Sequence, residues 1–292
     1  MPNYIGRFAP TPSGFLHFGS LLAALASFLD ARAAGGHWLL RMEDLDPPRE
    51  VTGSAAAILH TLDAYGLHWD GPVLYQSQRH DAYQAICAQL QAQGLAYACT
   101  CSRKDLSAYH GRYPGLCRDA DKPLEDAALR VRVSAQTLHF NDRIQGLCHG
   151  DPSDEGDFII QRRDRLFAYH LAVVLDDAYQ GITHVVRGAD LLDSTCKHLF
   201  LQRLLKLPQP EYLHIPLILQ PDGHKLGKSY RSAALPPDQV VPLLLRALRA
   251  LGQSTPAALA DASRDELLQW AIAHWRVTEI PASGQLYEAN LH

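Results

Sequence analysis

The chain has 292 residues, 47% of them hydrophobic, and a formal net charge of −4 from 27 basic and 31 acidic side chains. A chain of this kind can bury a full core in one large or two smaller domains, and it lacks a uniformly basic surface. A nucleic-acid partner would therefore need a local basic patch. No apolar stretch approaches the ~20 residues that span a bilayer, and no signal peptide is present, so we expect a cytoplasmic protein without a membrane partner.

The N-terminal region predicts the start of a doubly wound parallel sheet. An apolar run at Tyr4–Phe8 favours a buried strand, and a turn-rich loop with two prolines follows it. Residues 20–34 are rich in Ala and Leu and end at a Gly-Gly pair, which is typical of a helix, and residues 37–42 predict a second strand. In such a fold the ligand binds at the carboxyl ends of the strands.

His17 and Gly19 lie where this loop enters the helix. Unpaired backbone N–H groups and the positive end of the helix dipole converge at such a point, and a glycine lets a phosphate approach closely. A lone histidine in a loop is more often a capped or solvated side chain. The pattern therefore needs a second signal.

Lys225 and Lys228 supply that signal, in a polar loop after the apolar run Ile215–Leu219, which predicts a strand. Two lysines on a loop are usually solvated, yet they are also able to bind the β- and γ-phosphates of ATP and stabilise departing pyrophosphate. Together the two segments indicate ATP-dependent adenylation.

Cys99, Cys101 and Cys117 form a candidate structural metal site, because thiolates at this spacing suit one tetrahedral Zn²⁺ ion. Spacing leaves the fourth ligand open among His110, Tyr113 and water. The alternative is three reduced thiols without a metal. Six cysteines are too few for a disulfide framework in a chain of this length.

The second half of the chain adds candidates for an amino-acid pocket. A dicarboxylic amino acid requires two cations for its carboxylates and one anion for its ammonium group. Arg7 lies at the end of the first predicted strand and Arg187 at the end of the apolar run His184–Val186. Glu43 directly follows the second strand, and Tyr169 lies in a helix-like run at residues 167–177. Each of the four is equally compatible with an ordinary structural ion pair or core position.

The chain resembles the catalytic part of class I aminoacyl-tRNA synthetases of the glutamyl branch. His17-Phe18-Gly19-Ser20 is similar to the HIGH signature and Lys225–Ser229 to KMSKS. The matches are imperfect, since Ser20 replaces the final histidine, and Leu226 and Gly227 replace methionine and serine.

The resemblance implies a Rossmann-type parallel sheet interrupted by an inserted zinc-containing segment, with a small helical C-terminal part. It implies ATP, L-glutamate, Mg²⁺ accompanying the nucleotide, and one structural Zn²⁺ with Tyr113 as the fourth ligand. Its glutamate-binding positions are Arg7, Ala9, Glu43, Tyr169 and Arg187, and we assign the side-chain carboxylate to Arg187. His17, Gly19, Lys225 and Lys228 take the catalytic and ATP-binding roles.

The number of residues after the lysine loop indicates which members of the glutamyl branch the chain resembles most. Residues 230–292 predict two helices, at 239–251 and from Ser263, where Ser263 and Glu266 form a capping-box signature. This is too short for a usual anticodon-binding module. The chain thus resembles the short members of the branch, which implies transfer of glutamate to the queuosine base of tRNA(Asp). A truncated synthetase that charges a tRNA 3′ end and a non-catalytic nucleotide-binding relative are the alternatives.

The predicted organisation has four parts. Residues 1–80 form the first half of the nucleotide-binding fold, 81–165 the inserted segment, 166–235 the second half, and 236–292 the helical C-terminal subdomain. We expect a monomer, although no sequence feature specifies the oligomeric state.

Overall fold

The computed structural model describes residues 4–110, 112–219 and 234–287. Its helices are α1 Phe18–Ala33, α2 Ser54–Ala64, α3 His80–Ala92, α4 Tyr169–Tyr179, α5 Thr195–Leu204, α6 Val240–Ala250 and α7 Arg264–His274. Its strands are β1 Ile5–Phe8, β2 His37–Met42, β3 Leu74–Tyr75, β4 Ala96–Cys99, β5 Ala128–Val131, β6 Leu138–Asp142, β7 Gly146–Gly150, β8 Ile159–Gln161, β9 His184–Gly188, β10 Glu211–Ile215, β11 Leu217–Leu219 and β12 Gln285–Tyr287.

The central feature is a pair of adjoining sheets, of which the first is parallel and the second is parallel except for its antiparallel edge strand β7. Strands β1, β2 and β3 form the first in the order β1-β2-β3, and the second has the order β7-β6-β10-β9. The two meet where the Thr183 N–H donates to the Ile5 carbonyl at 2.9 Å. Because β1 and β9 lie side by side, their carboxyl ends open at the same edge.

A separate antiparallel sheet, β4-β5-β8, carries the cysteine-rich loop. The hairpin β6–β7 falls within the predicted inserted segment, yet β6 pairs with β10 of the predicted second half. The four-part division of the chain stays a prediction.

Two apolar clusters cover the faces of these two sheets. One contains side chains of α1, α6 and α7 together with β1 and β2, and the other packs α3, α4 and α5 against β6, β9 and β10. The C-terminal helices thus share the core of the nucleotide-binding half. Within the described ranges, no helix combines the length and hydrophobicity needed to cross a bilayer.

Several predicted elements differ in their bounds. The first helix begins at Phe18, two residues before the predicted start, so Gly19 lies in its first turn. The predicted strand Ile215–Leu219 is interrupted, because Pro216 has no N–H for a sheet hydrogen bond and separates β10 from β11. The predicted helix from Ser263 is confirmed, and Ser263 and Glu266 form the capping box.

Candidate active site

A cavity of about 690 Å³ opens at the carboxyl ends of β1, β2 and β9. Its walls contain every candidate nucleotide- or glutamate-binding residue that the structure describes: Arg7, Ala9, His17, Gly19, Glu43, Tyr169 and Arg187. Lys225 and Lys228 lie outside the described residues, so their placement stays a prediction. The structure therefore brings together positions up to 180 residues apart, while the role of each stays a prediction.

His17 is the N-cap residue of α1. Its Nδ1 accepts a hydrogen bond from the Ser20 backbone N–H at 3.3 Å, so a neutral His17 ring carries its proton on Nε2. An imidazole N–H at a helix N-terminus is a suitable donor for a phosphate oxygen. Because Ser20 contributes its backbone here, the replacement of the signature histidine leaves this cap intact.

Two arginines share one buried carboxylate beside the cavity. Arg7 Nε and Arg41 Nη1 lie 3.2 Å and 2.8 Å from the same oxygen of Asp177. Burial alone would raise the pKa of Asp177, but the cations of Arg41 and Arg7 outweigh burial and lower it. An ionised Asp177 therefore fixes Arg7 at the cavity wall.

Glu43 supplies the anion of the cavity, directly after β2. Its carboxylate lies 3.5 Å from Arg41 Nη2, and only 11% of its side chain is exposed. Burial raises its pKa, Asp177 and Asp176 add to the effect, and Arg41 and Arg7 oppose it. This carboxylate is well placed to gain from a cationic ligand such as an ammonium group.

Tyr169 and Arg187 also line the cavity. Tyr169 is the first residue of α4, and burial raises the pKa of its phenol to about 12, so the hydroxyl is neutral. Arg187 projects from β9 and is 6% exposed. The four predicted residues thus offer two guanidinium groups, one carboxylate and one hydroxyl to the cavity, which Arg49 and Asp190 also line. These four groups are a complementary set for an amino acid with two carboxylates.

Sequence reasoning missed the buried polar residues that hold the cavity side chains in place. They lie inside buried elements: Arg41, Asp142, Asp177, Thr195, His198 and His214. Two signals were present in the sequence, namely the Asp176-Asp177 pair in an apolar helical run and His214 in an apolar strand. A buried polar side chain requires a partner, so each signal predicts an interaction but not its identity.

The three predicted metal-binding cysteines lie together at the end of β4. The Sγ atoms of Cys99, Cys101 and Cys117 are all within 4.8 Å of one another. Tetrahedral zinc–thiolate bonds of ~2.3 Å separate two sulfurs by roughly 3.8 Å, so the cluster fits a metal ion. Burial opposes ionisation of Cys117, yet hydrogen bonds led by the Thr100 backbone N–H lower its pKa to about 6. Burial raises the pKa of Cys101 to about 12, so the cluster combines one thiol close to its metal-binding, ionised form with one that holds its proton until a cation displaces it.

Tyr113 is the nearest of the candidate fourth ligands. Its hydroxyl oxygen lies 3.4 Å from Cys99 Sγ and accepts a hydrogen bond from the Cys117 backbone N–H at 2.9 Å. The Arg130 guanidinium lies 3.8 Å from the centre of its ring. By contrast, His110 is exposed. The donor set at hand is three sulfurs and one phenol oxygen.

The fold and the cavity define a class I aminoacyl-tRNA synthetase. Residues 5–241 match the family model of class I tRNA synthetases (E and Q), catalytic domain. A glutamate tRNA ligase from Elizabethkingia meningosepticum, solved in complex with its amino acid, superimposes with a TM-score of 0.80 at 26% identity. The match covers 97% of this chain and 67% of that chain.

Relatives of the same length carry a more specific name. Proteins named glutamyl-Q tRNA(Asp) synthetase from Pseudomonas syringae pv. tomato and Ectopseudomonas mendocina are 64% and 65% identical. Each match covers 99% of this chain, and it covers 99% and 98% of the respective relative. The chain belongs to the glutamyl-Q tRNA(Asp) synthetase family. The predicted fold class and family are therefore confirmed.

Proposed function

We propose that the chain uses ATP to activate L-glutamate and transfers it to the queuosine base at the wobble position of tRNA(Asp). The observation that carries this proposal is the cavity, where two arginines, Glu43 and Tyr169 surround one space beside the N-terminus of α1. Full-length relatives at 64% identity are named for this activity.

The first step joins glutamate to AMP. An oxygen of the α-carboxylate attacks the α-phosphorus of ATP, the new P–O bond forms, and the bond to the bridging oxygen breaks as pyrophosphate leaves. A carboxylate is ionised at neutral pH, so no general base is needed. Catalysis then consists of alignment and charge stabilisation, with His17 and the helix N-terminus at the α-phosphate.

The same cavity orients the amino acid. Arg7 and Arg187 bind the two carboxylates, Glu43 receives the ammonium group, and Tyr169 donates its neutral hydroxyl. Ala9 and Gly19 place backbone next to the substrates, since neither has a bulky side chain. Mg²⁺ accompanies ATP, because this ion binds mainly through substrate phosphates and water.

In the second step, an O–H or N–H group of the queuosine base attacks the glutamyl carbonyl carbon and gives up its proton to water, and AMP leaves with the electron pair of the mixed anhydride bond. The substrate base lies in an anticodon loop. Single-stranded loops offer splayed bases that proteins recognise by stacking and edge hydrogen bonds.

Two assays test the function. Glutamate-dependent exchange of pyrophosphate into ATP reports activation, and no exchange above background would indicate a non-catalytic nucleotide-binding protein. Transfer of labelled glutamate to tRNA(Asp) with and without queuosine reports the acceptor. We expect label only on the queuosine-containing RNA. Equal labelling of both would favour a truncated synthetase that charges a 3′ end.

We propose that the cysteine cluster holds one structural Zn²⁺ with ligands Cys99, Cys101, Cys117 and Tyr113. The Arg130 guanidinium lies over the phenol ring and holds it in place, while burial raises the pKa of the Tyr113 hydroxyl, so the bound cation itself would have to displace the phenol proton. The ion would cross-link the long loop between β4 and β5. Metal analysis tests this proposal: Cys99→Ser should lose the metal and melt at lower temperature, whereas Cys87→Ser, in a buried thiol outside the cluster, should keep the metal.

A further inference from the structure

The Arg187 guanidinium is held from three sides. Its Nε lies 3.0 Å from His214 Nε2, and its Nη1 lies 3.1 Å from His198 Nδ1. Its Nη2 donates to Thr195 Oγ1 at 2.8 Å and to the Leu191 carbonyl at 3.2 Å. A guanidinium has five N–H groups, so the partners among the described residues leave one of them, on Nη1.

These contacts determine the tautomers of both histidines. Arginine has no acceptor atom, so His214 Nε2 and His198 Nδ1 must both accept and must both lack a proton. The proton of His214 is then on Nδ1, which donates to Asp142 at 2.6 Å. The proton of His198 is on Nε2, which donates to His170 Nδ1 at 3.1 Å. Each imidazole therefore has one possible neutral form.

The environment keeps both rings neutral. His198 and His214 are 2% and 0% exposed. Burial and the Arg187 cation lower the pKa of His198 well below its usual value. Burial also lowers the pKa of His214, although Asp142 opposes that shift. The strand register supports the contact, because His214 is the direct neighbour of Arg187 in the pairing of β10 with β9.

Arg7 presents a different edge to the same cavity. Its Nε donates to Asp177 and its Nη1 donates to the Val186 carbonyl, each at 3.2 Å. Three of the five N–H groups of Arg7, including both on Nη2, have no acceptor among the described residues. Arg7 can therefore bind a carboxylate through two parallel hydrogen bonds, whereas Arg187 retains one donor.

We propose that His198 and His214 are positioning residues that restrict Arg187 to a single hydrogen bond with one glutamate carboxylate, while Arg7 binds the other carboxylate in a forked grip. The two imidazoles act through Arg187 and do not touch the substrate. This inference rests on the proposed function, since it concerns how the amino acid is bound before activation.

Two substitutions of His198 distinguish a role in positioning Arg187 from a role in packing alone. His198→Asn keeps an acceptor oxygen near the Nδ1 position, and His198→Leu removes it. We expect His198→Leu to raise the KM for glutamate in pyrophosphate exchange by about tenfold, the size of one hydrogen bond to a charged group, and to leave the KM for ATP unchanged. His198→Asn should stay within about threefold of the wild type. Equal glutamate KM values for the two variants would overturn the proposal.

His214→Gln and His214→Leu form the second pair, since the Gln oxygen can occupy the Nε2 position. The same ordering of glutamate KM is expected. A loss of kcat with unchanged glutamate KM in both pairs would show a general packing role and contradict positioning.

A measurement on the unmodified protein does not depend on any variant folding. Imidazole ¹⁵N chemical shifts should show an unprotonated Nδ1 in His198 and an unprotonated Nε2 in His214. The opposite tautomer in either ring would refute the geometry. Wild-type protein without glutamate-dependent exchange, but with these tautomers, would instead count against the proposed function alone.

Discussion

Glu43 is a nearly buried carboxylate whose charge state depends on several neighbouring charged groups. It is nearly buried, and it lies within reach of two arginines while Asp177 and Asp176 surround the same space. Burial outweighs the cations and raises its pKa. A ligand ammonium group would add a cationic partner to those two arginines, and only the ionised carboxylate attracts it, which gives this residue a pH-dependent affinity for amino acids.

We expect the KM for glutamate to fall as pH rises from mildly acidic to neutral. The pKa of Glu43 is raised, so its proton persists above the usual range of a carboxyl group, and only the ionised form attracts the ammonium group. Steady-state pyrophosphate exchange across this range measures the effect. Glu43→Gln should bind glutamate weakly at every pH and flatten the profile. A variant that keeps the wild-type slope would assign the effect to another group.

Lys228, which lies outside the described residues, is predicted to act on the leaving pyrophosphate. A cation that neutralises departing pyrophosphate acts mainly in the transition state, so Lys228→Ala should lower kcat for exchange by about 10²-fold or more. Glutamate binding measured by calorimetry should not change. Lys104→Ala, at an exposed lysine, is the control and should retain full exchange. Unchanged turnover in Lys228→Ala would remove its assigned role.

The position of Tyr113 in the cysteine-rich loop depends on a close contact with the turn that contains Gly156. Tyr113 donates its backbone N–H to the Glu155 carbonyl at 2.8 Å, and the next residue of that turn is Gly156 with φ +78°. A Cβ added to Gly156 would lie 2.1 Å from the Tyr113 carbonyl oxygen. Glycine is therefore required there for two reasons, the left-handed backbone and the close approach.

Gly156→Ala should displace Tyr113 and weaken metal binding, with a loss of unfolding free energy above about 2 kcal/mol. Gly115→Ala is a matched control in the same loop. Gly115 also has a left-handed backbone, with φ +84°. A Cβ added there would have Arg118 as its nearest neighbour, at 3.9 Å, which is an ordinary van der Waals contact. We expect this variant to lose about 1 kcal/mol and to keep its metal. Metal content and urea unfolding measure both variants. Equal metal loss would mean that strain, and not the Tyr113 contact, decides the result.

Across the whole molecule, Asp30 joins three distant segments to its own helix α1. It is 3% exposed and accepts hydrogen bonds from the Tyr4 hydroxyl, the Arg143 guanidinium and Trp275 Nε1. These partners come from the N-terminal segment, the turn after β6 and the residue after α7. The C-terminal helices are thereby tied to the nucleotide-binding half by a polar contact as well as by the shared apolar core.

Asp30→Ala would leave three buried or half-buried donors without a partner. We expect a loss of about 3 kcal/mol or more in unfolding free energy from urea denaturation. Asp164→Ala is the comparison, because it breaks the exposed Arg162–Asp164 pair at 2.6 Å and should cost under about 1 kcal/mol. Similar losses in the two variants would show that the Asp30 contacts do not stabilise the fold.

The sequence by itself determined the local elements and the signature positions. Apolar periodicity and the Gly-Gly pair indicated the first two strands and α1, and the Ser263 capping box marked the start of α7. These signals act over a few residues, so they can be read without knowing the fold. The continuous strand predicted for Ile215–Leu219 was wrong because Pro216 interrupts the sheet hydrogen bonds.

Only the tertiary structure decided which partners surround those positions. His198 and His214 are 11 and 27 residues from Arg187. They reach it because α5 packs against the sheet that contains β9, while β10 pairs with β9 in one register. No local pattern encodes that register, because it results from the packing of whole elements. For the same reason, the chain sequence could place two arginines in one pocket, whereas their hydrogen-bonding partners distinguish how each can bind a carboxylate.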